Sequence, residues 1–169
     1  MHEPRWSWKL VLSGVAALIA TAAAVGIAQA RTQAVPNVTC TAPAAPPAIL
    51  ADGTSVNTVN VNVGPTKLRT KTSVEVVQIC NVGVTGFTSG WHHHAGPVIV
   101  NVTGGALTFY SPSDCTGTTV GAGHAYIERT GDPILARNEG GQTATWITTQ
   151  ILPVGAETFY PEPSSCGLS

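Results

Sequence analysis

Charge is what this sequence has least of. Asp, Glu, Lys and Arg make up 10% of its 169 residues, and the formal net charge is −1. The eight basic residues are scattered and form no run. Phosphate backbones are held by clustered Lys and Arg, so a nucleic-acid partner is excluded. Cys-x-x-Cys is absent, which removes thiolate zinc sites and thioredoxin-like redox motifs. There is no Gly-x-Ser-x-Gly elbow. Gly121-x-Gly123 does not lead into a helical pattern and is therefore no phosphate loop. After residue 30 no stretch sustains a 3.6-residue apolar period, and no solenoid-type repeat occurs. What is abundant is Val, Thr, 18 Gly and 12 Pro within a 43% hydrophobic chain, a mixture that favours strands and turns.

The first thirty residues differ in kind. Arg5 and Lys9 precede an apolar stretch from Leu10 to about Ile27, which ends in Ala28-Gln29-Ala30. This is the layout of a secretory signal. If it is not cleaved, residues 10–30 are long enough to anchor the chain, since a span needs about 20 apolar residues. In either case the rest is expected to be secreted or extracytoplasmic. Export changes the reading of Cys40, Cys80, Cys115 and Cys166, because an even count in an oxidising compartment favours disulfides. Four cysteines allow three pairings, and spacing alone does not choose among them.

Residues 31–48 are rich in Pro and Ala and read as a linker; the folded domain is expected over 49–155, with a tail over 156–169. Strand-like runs occupy Val56–Val63, Val74–Cys80, Pro97–Thr103, Ala106–Tyr110, Thr118–Val120, His124–Glu128, Ile134–Arg137 and Thr143–Leu152. Gly104-Gly105 reads as a hairpin turn, and Ser111–Gly117 as a turn-rich loop. Many short strands with frequent turns point to an all-β sandwich or closed barrel.

The most informative segment is Gly86-Phe-Thr-Ser-Gly-Trp-His92-His93-His94-Ala-Gly-Pro-Val98, continuing to Gly104-Gly105. Side chains alternate faces along a strand, so His92 and His94 share a face and His93 opposes them. Two imidazoles so placed are a candidate metal-ligand pair. Trp91 is a candidate for the mouth of a ligand pocket, or for packing. Glu128 and Glu139 read as solvated carboxylates, and His124 as an ordinary strand or loop residue.

The spacing Gly86, five residues, His92-x-His94, three residues, Val98, six residues, Gly105 resembles the first cupin motif. Gly123, five residues, Arg129-x-Gly131, two residues, Ile134, three residues, Asn138 resembles the second. Gly-Trp-His-His-His-Ala-Gly-Pro, Leu-Thr-Phe-Tyr and Arg-Asn-Glu-Gly are similar to stretches of small secreted bacterial single-domain cupins. The resemblance implies a double-stranded β-helix, or jelly-roll barrel. It further implies that Cys115 pairs with Cys166, and so Cys40 with Cys80. Cupins generally hold a divalent metal through two His and one Glu of the first motif and one His of the second. Here Val98 stands at the Glu position and Ile134 at the second-motif His position, leaving His92 and His94 and implying a degenerate, weakly binding site. Val98 and Ile134 are expected to line the pocket, and Val98→Glu with Ile134→His is expected to tighten metal binding.

The fold leaves three functional classes: a small-molecule-binding barrel, a metal-dependent enzyme of oxygenase or isomerase type using His92 and His94 with a further ligand, and a structural protein of the cell exterior. The expected partner is a small-molecule ligand; a membrane is met only through residues 10–30, and a homodimer is compatible with the fold.

Overall fold

The computed structural model describes residues 47–169. The expected signal or anchor segment, most of the linker and Cys40 lie outside the described residues. Twelve strands and no helix occur among the described residues: β1 Ala48–Thr54, β2 Asn60–Val63, β3 Thr66–Arg69, β4 Val74–Gly83, β5 His92–His93, β6 Val98–Gly104, β7 Ala106–Ser111, β8 Asp114–Gly121, β9 Ala125–Glu128, β10 Leu135–Arg137, β11 Ala144–Pro153 and β12 Tyr160–Pro161. None of it offers a helix long and apolar enough to cross a membrane.

One sheet runs β1-β4-β11-β6-β9. The other contains β10-β7-β8, and β5 joins it beside β10 through paired backbone bonds between His92 and Ile134 of 3.0 and 2.8 Å. β12 covers the other edge of β5. Within β4–β11 the neighbours are therefore β4 with β11, β5 with β10, β6 with β9 and β7 with β8. These are the pairs of one long antiparallel hairpin, tipped at Pro112-Ser113 and rolled up so that successive rungs fall in alternate sheets. This is a jelly roll. β1 extends one sheet edge, and the β2–β3 hairpin stands apart with every residue exposed.

Strand alternation fills the roll. Val98, Val100 and Val102 of β6 meet Leu107 and Phe109 of β7, Val120, Ile134, Ala136, Ala144 and Trp146 in a single buried cluster. Val98, Leu107 and Leu135 are wholly buried; each such side chain contributes about 1.5–3 kcal/mol.

Three expectations change. Gly104-Gly105 does not close a hairpin, because β6 and β7 belong to different sheets. It is a corner between the sheets: Gly105 has φ +62°, and a Cβ there would lie 2.6 Å from the carbonyl oxygen of Thr143. Ser111–Gly117 is not a loop throughout, since β8 begins at Asp114 and only Pro112-Ser113 turns. The expected tail carries β12 and is built into the second sheet.

Gly105→Ala should lower the unfolding free energy by about 1–3 kcal/mol, from combined backbone strain and collision. Gly123→Ala, with φ +84° but nothing within 4 Å of the added carbon, should cost less. Urea titration of both variants checks the order.

Candidate metal centre

His92 and His94 flank the outward-turned His93 on β5. Both are 5% exposed and point into the roll. The Nδ1 of His92 lies 2.9 Å from the carbonyl oxygen of Gly90, and that of His94 lies 2.6 Å from the carbonyl oxygen of Thr158. A carbonyl only accepts, so each Nδ1 carries a hydrogen, and in the neutral ring each Nε2 is then the free donor atom. Burial pushes the His92 pKa below its ordinary 6.5, with the Gly90 carbonyl opposing and His94 reinforcing. Neutral imidazoles donating Nδ1–H to backbone carbonyls are the form in which histidine serves as a metal ligand.

Facing them is Glu128, on β9. It is 6% exposed and its Oε2 lies 3.0 Å from the Nε2 of His94. Ligand atoms of His92, His94 and Glu128 all fall within 4.8 Å of one another. The short contact and the hydrogen-bond geometry disagree. Oε2 is close to Nε2, yet makes no acceptable hydrogen bond among the described residues. The two atoms are in ion-pair reach, but their alignment is not that of a hydrogen bond. Three potential donor atoms thus converge in one buried space, where a metal ion or a shared proton would be held. Metal–nitrogen and metal–oxygen bonds of about 2.0–2.2 Å span the set with a shift of under ~1 Å.

Register explains how the carboxylate arrives. Val98 on β6 is the cross-strand partner of Glu128 on β9, so their side chains share a face. The lumen row continues through Gln150 to Val77. Ile134 is the bridge partner of His92. Val98 and Ile134 thus sit in the same core beside the two histidines and hold no polar atom. The solvated reading of Glu128 is corrected: it is buried because its strand presents Tyr126 and Glu128 inward and leaves Ile127 64% exposed outward.

Trp91 is also corrected as a pocket residue. It faces away from His92, packs with Tyr110 and Leu135, and donates its Nε1–H to the carbonyl oxygen of Leu168 at 2.9 Å. His124 is exposed, and its ring bonds only locally, to the Ala122 carbonyl. Glu139 accepts from the Tyr110 hydroxyl at 2.8 Å, away from the centre.

The C-terminal segment forms one wall. Phe159 stacks on His92 with ring centroids 4.4 Å apart, Tyr160 stacks on His93 at 5.0 Å, and His93 Nδ1 meets Glu162 at 2.6 Å. A disulfide between Cys115 and Cys166 ties this segment to the start of β8. Cys80 is also disulfide-bonded, and no described cysteine is free.

A cavity of about 290 Å³ opens beside the centre, walled by Phe87, Phe109, Trp146 and Phe159 and by the polar Thr148 and Gln150. A wider groove of about 600 Å³, lined by Tyr126, Arg129, Asp132 and Ile134, also reaches Glu128.

No protein-family model and no curated protein matches the chain. Among solved structures it is similar to a conserved Klebsiella pneumoniae protein with a double-stranded β-helix domain, at 19% identity, covering 52% of this chain and 76% of that one with a TM-score of 0.44. It is also similar to a cupin domain from Bordetella pertussis, at 19% identity, covering 64% and 94% with a TM-score of 0.42. A predicted oxalate decarboxylase from Thermotoga maritima aligns at 18% identity, covering 48% and 83%, TM-score 0.41. Strand order decides the fold: two facing sheets, 4-11-6-9 and 5-10-7-8, wind as a double-stranded β-helix. The fold is a double-stranded β-helix, or jelly-roll barrel. In this barrel the histidines come from β5 and the carboxylate from β9.

Two outcomes follow for the metal-free protein. Because folding depresses the His92 pKa, the unfolded chain takes up that proton first; the stability tied to neutral His92 is full above about pH 6.5 and is lost as pH falls below it. Urea midpoints measured between about pH 7.5 and 5 should show a shallower decline in His92→Gln than in wild type. Cys166→Ser should remove about 2–4 kcal/mol of stability by releasing the cross-link, measured by denaturation without reductant.

Proposed function

We propose that this chain is an exported cupin that holds one divalent transition metal through the Nε2 atoms of His92 and His94 and the carboxylate of Glu128, and acts on a small molecule in the adjoining cavity. The observation that carries the reading is the buried convergence of His92, His94 and Glu128, with the carboxylate 3.0 Å from the Nε2 of His94. An isolated carboxylate in an apolar interior costs several kcal/mol unless a cation accompanies it. Two histidines and one carboxylate form the ligand set of non-haem iron sites, and the same donors serve zinc and manganese. The bound ion would act as a Lewis acid on an oxygen of the ligand.

The residues around it have separate duties. The carbonyls of Gly90 and Thr158 hold the two rings in the ligating tautomer. Phe159 covers His92 and restricts water. The valines of β6 keep the local dielectric low, which strengthens attraction between ion and carboxylate. The disulfide and the Ala28-Gln29-Ala30 layout support export into an oxidising compartment.

A second reading, a metal-loaded binding barrel without turnover, has its own support. The only titratable side chains lining the cavity are the three ligands themselves, so no separate general acid or base is at hand among the described residues.

Cobalt(II) or zinc titration by calorimetry should give one site per chain. Glu128→Gln and His94→Ala should each weaken it by at least about tenfold, the lower end of effects seen on removing groups that orient or complete a metal site. Undiminished binding in Glu128→Gln would reject the centre. Ile134→His should tighten binding by adding a fourth donor. Val98→Glu should not add to it, because a second carboxylate would stand about 4.5–5.5 Å from the first and repel it.

A further inference from the structure

Besides Glu128 Oε2, the cavity beside the centre holds two buried polar atoms without a hydrogen-bond partner among the described residues, Thr148 Oγ1 and Gln150 Oε1. Gln150 is 4% exposed. An amide oxygen accepts and does not donate, so it calls for an O–H or N–H from whatever occupies the space. A buried acceptor left unmet costs about 1–3 kcal/mol.

The rest of the wall is aromatic. Phe87 and Trp146 stand 5.2 Å apart at 54°, and Phe109 lies flat against Tyr126 at 4.2 Å. Read along the lumen face of β11, Gln150 shares the row of Glu128, Thr148 comes next, and Trp146 lies beyond. At about 3.3 Å per residue this face runs roughly 13 Å from polar to aromatic. No Lys or Arg lines the cavity. Its fixed charge is the Glu128 carboxylate; with a divalent ion the total is +1, which neutralises one negative charge and not two. At about 290 Å³ the space is at the small end of ligand pockets, room for one or two rings.

We infer that the cavity takes a small uncharged aromatic alcohol of the phenol or naphthol class, its ring against Phe87, Phe109 and Trp146 and its hydroxyl directed to Gln150, Thr148 and the ion. The inference deepens the metal reading and rests on it for the ion alone. Aliphatic alcohols lack the ring–ring attraction of this wall, and dicarboxylates lack a second cation. No proton transfer or bond cleavage is assigned to the bound molecule.

The test uses purified protein loaded with cobalt(II), with metal affinity measured first and ligand binding second, both by calorimetry and by the cobalt visible spectrum. 2-Naphthol should bind about three- to tenfold more tightly than decahydro-2-naphthol, the range aromatic pairing supplies, and should perturb the cobalt bands. Succinate should bind more weakly than either. Gln150→Leu should weaken 2-naphthol about tenfold while leaving cobalt affinity unchanged, and Thr148→Val should act in the same direction. Both replacements remove an unmet polar atom, so folding should survive them, and a urea titration verifies this. Failure of cobalt to bind would reject the metal centre itself. Cobalt binding with succinate or decahydro-2-naphthol equal to or tighter than 2-naphthol would reject the ligand class. Unchanged naphthol affinity in both variants would show that water alone meets Gln150 and Thr148, and would overturn their role.

Discussion

A carboxyl group in the wall of an apolar barrel must be neutralised, by a proton or by a neighbouring positive charge, and three features of this structure meet at Glu128. The side chain reaches the lumen because β9 is in register with β6, opposite Val98. It approaches the Nε2 of His94, a ring held on its other side by the bond from Nδ1–H to the Thr158 carbonyl. That carbonyl is held where it is by β12 pairing on β5 and by the Cys115–Cys166 bridge beyond it. Sheet register, ring tautomer and C-terminal path are thus three conditions on one contact of 3.0 Å.

The fold was legible in the sequence because its markers are local. The motif glycines Gly86, Gly105, Gly123 and Gly131 all have positive φ, at corners where the chain changes direction, and their spacing measures the strands between them. The polar residue that closes the second motif, Asn138, is wholly buried and donates to the carbonyls of Gly83 and Gln142, a structural duty. His92-x-His94 was legible for the same reason, since alternation along a single strand needs no knowledge of any other.

Glu128 was not legible, and the reason is physical. Its strand inverts the usual pattern, with Ile127 exposed and Glu128 inside. A reading that puts apolar residues inward selects the wrong face. The partner that would correct it, Val98, lies across a register that sequence does not reveal. Two aliphatic residues at motif positions made the site look depleted, yet a carboxylate from the neighbouring strand occupies the same row. The segment after Pro153 has no period of its own, and its role depends on distant partners: Trp91, His92, His93 and His94.

The bond from His94 to Thr158 spans 64 residues of chain. During synthesis the histidine pair is made first, and it emerges with neither ring oriented by that wall. The ligating tautomer of His94 is set only once the strand pairing of β4 with β11 has closed the roll and the following segment has come back across β5. Capture of an ion by the finished geometry would therefore be a late event in folding, after the segment carrying Thr158 is in place. Any metal the protein carries is then drawn from the compartment in which folding ends, and the ion pool of that compartment, as much as the donor atoms, decides which element is loaded.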